Sequence, residues 1–135
     1  MRQEEGLQVL RNILYSAQKS RSIMMERAGV ERMSREEREI QERLWALTSP
    51  WLFDERKCVI PALSRIIDRV EAGGSLQPLD VYNFCTIAHK LEPMLRFPAD
   101  ITMRGREHLG VPEPDPAWLR GWTGDNDEGY DNNIR

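Results

Sequence analysis

Two cysteines in 135 residues allow at most one disulfide. That is too few for the cross-linked frameworks that hold small secreted domains together. No apolar run approaches the roughly 18 residues a membrane-crossing helix needs. The opening Met1-Arg2-Gln3-Glu4-Glu5 is charged and leads into no apolar stretch, so no secretory leader is expected. Lysine is scarce, at three residues against sixteen arginines, and histidine occurs twice. Aromatics are 7% of the chain, yet 40% of it is hydrophobic, which is enough for one sizeable core at this length. These features point to a reducing, cytoplasmic setting with free thiols and no membrane partner.

Charge is divided unevenly. Residues 1–50 carry nine Lys/Arg against eight Asp/Glu, residues 51–110 carry eight of each, and residues 111–135 carry two against six. The acidity therefore sits in the C-terminal region. A neutral body of mixed charge has no excess with which to displace phosphate counterions, which disfavours a nucleic-acid partner. The arginine excess suits either base composition in the coding sequence or planar recognition of carboxylates and phosphates.

What is present is helical periodicity. Over residues 3–29, apolar side chains recur at Leu7, Leu10, Leu14, Ala17, Met24 and Ala28 in alternating steps of three and four, with Arg21 interrupting. This is heptad spacing, and Gly29 is a natural stop. The stripe reads either as the core face of a long bundle helix or as a coiled-coil seam between copies. Val9 and Ile23 lie off it. Ser34-Arg35-Glu36-Glu37 is a capping box that opens a second helix to about Leu47. That helix carries a thin stripe of Met33, Ile40, Leu44 and Leu47 among charges spaced for i,i+4 pairs, which reads as a solvated face. Pro50 breaks it. Trp51-Leu52-Phe53 forms an apolar knot. Leu63, Ile66, Ile67 and Val70 then make a single stripe ended by Gly73-Gly74. Pro78 opens a further helix to about Glu92, and a short helix is expected at 100–109. From Val111 onward Pro112, Pro114 and Pro116 impose extended backbone, followed by Trp118-Leu119-Arg120-Gly121-Trp122 and an Asp/Asn/Gly-rich end.

No chemical motif is complete. Cys85 and His89 lie four apart, with Cys58 and His108 elsewhere, but no second pair has zinc-module spacing. No metal or other cofactor is expected, and no nucleophile is seen with its base. Asp125-Asn126-Asp127-Glu128-Gly129 misses the calcium-loop pattern because its glycine comes one position early and no glutamate closes it. Gly73-Gly74 lacks the lysine of a phosphate loop. Residues 61–91 can be drawn as a helix-turn-helix offering Tyr82, Asn83, Thr86 and Lys90 to bases, although Asp80 shares that face and the turn is long.

The expected fold is all-α: a bundle of about four main helices over residues 1–110, with a long N-terminal helix, and an extended, acidic, Trp-containing arm over 111–135. The expected function is non-enzymatic, that of a protein–protein interaction or assembly protein of accessory, adaptor or inhibitor type. Homo-oligomerisation through the first helix is expected, with Leu7, Leu10, Leu14, Trp118, Leu119 and Trp122 as contact residues. The composition fits an accessory protein of the phage or plasmid kind. A nucleic-acid-associated regulator using the 61–91 hairpin is the alternative.

Overall fold

The computed structural model describes residues 1–95 and 111–122. The helix expected at 100–109, His108 and the Asp/Asn/Gly-rich end lie outside them. Among the described residues the fold is all-α, with no strand. Helix α1 spans Gln3–Ala28, α2 Arg35–Thr48, α3 Pro50–Phe53, α4 Val59–Glu71 and α5 Pro78–Thr86. One-turn 3-10 segments at Val30–Arg32, Pro93–Leu95 and Pro116–Arg120 complete the described chain. No helix among the described residues is long and apolar enough to cross a membrane.

Local sequence sets the helix limits. The Glu5 carboxylate accepts the Arg2 backbone N–H at 2.7 Å, relieving one of the amides that α1 leaves without an internal partner. Gly29 ends α1 in the left-handed region, at φ 72° and ψ 37°, where a β-carbon would be strained. Ser34 and Glu37 form the expected reciprocal cap: Ser34 Oγ accepts from Glu37 N at 3.1 Å and Glu37 Oε1 accepts from Ser34 N at 2.9 Å. Pro50 begins α3 directly after Ser49. The helix opened by Pro78 loosens its register before it ends: α5 stops at Thr86, and Ile87–Leu91 form a π turn closed by Glu92 N–H to Ile87 O at 2.7 Å. Pro93 follows and cannot extend the ladder.

Helix α1 is the spine against which α4 and α5 both pack. Its buried face is Gly6, Val9, Leu10, Ile13, Ser16, Ala17, Ser20 and Ile23. Val9 and Ile23, which the heptad pattern leaves aside, are thus in the interior. The helix turns inward a row of small residues, and these admit close neighbours. Ser20 Oγ donates to Met94 O at 2.8 Å, while the Ser16 hydroxyl is buried without a hydrogen-bond partner among the described residues. Leu52 of α3, Val59, Leu63 and Ile67 of α4, and Val81 and Cys85 of α5 close the core. Each such side chain contributes roughly 1.5–3 kcal/mol by leaving water. On the surface, the Arg11 guanidinium of α1 pairs with Glu71 of α4, its Nε at 3.2 Å.

Residues 111–122 return to this body. Val111 is fully buried and its carbonyl accepts from His89 Nε2 at 2.6 Å. A carbonyl only accepts, so that ring nitrogen carries the hydrogen. His89 Nδ1 lies 3.2 Å from Glu113 Oε2, and the imidazole is 3% exposed. Asp115 caps the following turn by accepting from Ala117 N at 2.9 Å. That turn directs Trp118 into the core at 7% exposure, and Trp122 Nε1 donates to Leu76 O at 3.0 Å.

Candidate interaction surface

Helix α2 stands apart from the rest. Not one of its fourteen residues is buried, and it packs chiefly against the four-residue α3. The attachment is aromatic. Trp45 stacks on Phe53 with ring centroids 4.7 Å apart and planes 29° from parallel, and the Arg21 guanidinium of α1 sits 5.1 Å from the other ring centroid in that pair, Phe53. A tryptophan, a phenylalanine and a cation from three different helices therefore fasten α2 to the body.

Trp45 takes up one side of α2 and leaves the opposite side open. There Ile40, Leu44 and Leu47 are 56%, 51% and 80% exposed. At 100° per residue the three lie within about 60° of arc, forming one continuous row. Scattered exposed leucines are ordinary on a protein surface, but a row at i, i+4 and i+7 is the pattern of a helix that lays its apolar face on another molecule.

The charges of α2 are arranged around this row. Arg35 pairs with Glu39 at 3.6 Å and Arg38 with Glu42 at 3.3 Å, both along the helix. Glu37 is committed to the cap. Glu36 and Arg43 flank the apolar row and make no ion pair or side-chain hydrogen bond among the described residues.

The residues singled out from the sequence are placed differently. Leu10 is fully enclosed by the chain's own core, and Leu7 and Leu14 pack against that core with part of their surface accessible. Trp118 and Trp122 rest on the helical body, whereas Leu119 between them is half exposed. Of the hairpin residues, Tyr82 packs on the core and its carbonyl accepts from Thr86 Oγ1 at 2.9 Å, while Asn83 and Lys90 are exposed. Helices α4 and α5 pack mainly on α1 rather than forming a compact pair of their own. Cys58 and Cys85 are free thiols, and no group of three metal-ligating side chains occurs among the described residues. A shallow groove lined by Gln18, Arg21, Ser22, Met25 and Ile60 runs beside α1, where the Arg21 Nε is buried without a hydrogen-bond partner among the described residues.

The signal for α2 was present in the sequence as its thin stripe. Periodicity marks which side of a helix is apolar but not whether anything covers it, and here nothing in the described chain does. Comparison with protein-family models, with curated proteins and with solved structures returned no match to this chain.

Proposed function

We propose that this chain is a non-enzymatic protein–protein interaction or assembly protein that presents α2 as its docking helix. The observation that carries this reading is the row Ile40, Leu44 and Leu47, more than half exposed on a helix with no buried residue. Exposed apolar side chains in a row are a liability unless a partner covers them. The aromatic attachment through Trp45 and Phe53 supports it further, because it holds the helix at a defined angle and lowers the ordering cost of binding. Two free thiols suit a reducing, cytoplasmic setting.

The test compares tagged wild-type protein with Leu44→Asp in affinity capture followed by mass spectrometry. The substitution alters no buried position, so circular dichroism should be unchanged. A partner retained by wild type and lost with Leu44→Asp supports α2 as the docking helix. Equal retention by the two proteins overturns it.

A further inference from the structure

We infer that the α2 face binds a second copy of this chain, with the two α2 helices antiparallel. This rests on the reading of α2 as the docking helix. Glu37, Ile40, Leu44 and Leu47 follow steps of three, four and three along α2, the spacing of a two-helix seam, and Met33 stands in extended backbone just before the cap. Glu37 is the one charged member, and its carboxylate is turned back onto the Ser34 N–H at 2.9 Å. It therefore offers methylenes to the seam with its charge already engaged.

Glu36 and Arg43 occupy the same flanking position one heptad apart. With Glu37 committed to the cap, they are the charged residues of α2 that the Arg35–Glu39 and Arg38–Glu42 contacts leave without an ion pair among the described residues. In a parallel pair this flank meets the opposite flank of the second helix, so Glu36 falls beside Gln41 and Arg43 beside Thr48. No charges are joined. In an antiparallel pair the flank meets itself, and Glu36 of each copy falls beside Arg43 of the other. Two-fold symmetry makes both ion pairs at once. The register that joins them sets Ile40 against the methylenes of Glu37 of the second copy, while Leu44 and Leu47 reach past the start of its α2 towards the chain segment of Met33 and the turn at Val30–Arg32. The helix dipoles also oppose, as the antiparallel arrangement favours. A single short helix offers less than the roughly 800 Å² per partner of a standard interface, so the dimer is expected to be weak and concentration-dependent.

The experiment is sedimentation equilibrium over a rising concentration series reaching the millimolar range, with the full chain. Wild type should pass from monomer to dimer. Glu36→Arg and Arg43→Glu should each weaken self-association at least about fivefold, because each places like charges in both pairs. An equimolar mixture of the two variants should recover the wild-type association, since only the mixed dimer restores both pairs. Single variants that dimerise as well as wild type overturn the antiparallel pairing. A dimer that survives Leu44→Asp places the contact elsewhere and overturns the inference. Wild type that stays monomeric throughout also overturns it. If capture of another protein nevertheless depends on Leu44, the docking-helix reading stands without the second copy.

Discussion

Trp122 lies across Gly6. A β-carbon built on Gly6 would stand 2.7 Å from Trp122 Cη2 and 3.2 Å from Val81 Cγ2. Glycine within a helix ordinarily costs stability, and here it admits an indole between α1 and α5. Gly6→Ala should therefore destabilise the fold by about 1–3 kcal/mol, because overpacking outweighs the ~1 kcal/mol gained in helix propensity. Urea denaturation measures it. In the Trp122→Ala background the same substitution should cost clearly less, since the closest clash is gone and only the 3.2 Å approach to Val81 Cγ2 remains. Additive effects of the two changes would show that the ring does not press on α1.

Trp118 is packed in the core of the isolated chain. Its fluorescence should be blue-shifted and shielded from quencher in a dilute sample, without any partner. Trp118→Ala should cost about 3–5 kcal/mol, as large-to-small changes at buried aromatics do. Red-shifted, quencher-accessible emission from a Trp118-only variant would sink this assignment.

Burial pushes the Cys85 thiol up to about 12. The thiolate is the reactive form, so Cys85 should resist alkylation in the native protein at about pH 8. Cys58, which is partly exposed and contacts Leu52 O at 3.3 Å, should be labelled first. Mass spectrometry of labelled peptides distinguishes the two. Native-state labelling of both at equal rates would contradict the buried position.

Glu92 follows the π turn, with its Oε2 buried and without a hydrogen-bond partner among the described residues, and desolvation holds its carboxyl above the ordinary carboxylate range. The folded chain therefore binds this proton more tightly than the unfolded chain does. Stability should fall as pH rises from the ordinary carboxylate range through the raised value, where the folded carboxyl must ionise in its desolvated position. Glu92→Gln should raise the melting temperature at neutral pH. That advantage should shrink as the solution is acidified and wild type becomes protonated. An advantage that does not change with pH would mean that ionisation of Glu92 is not the cause.

Much of the fold is written locally. Gly29 stops α1 because a left-handed residue satisfies the last carbonyls cheaply. Ser34 and Glu37 start α2 because two side chains meet two free amides, and the prolines at 50 and 78 open α3 and α5 because they have no N–H to lose. The stripe of Leu63, Ile66, Ile67 and Val70 needs no partner to be recognised as a buried face. Such signals act over a few residues of contiguous chain and survive in the sequence by itself. Only the tertiary structure decided what each face meets. Val9 and Ile23 became core because Gly6, Ser16 and Ser20 let neighbours approach that side of α1. The two tryptophans turned inward because His89 holds Val111 and Leu76 offers Trp122 a carbonyl. Ile40, Leu44 and Leu47 were left open because Trp45 anchors α2 from its other side. Coverage depends on residues tens of positions away in the chain, and helical periodicity carries no information about them.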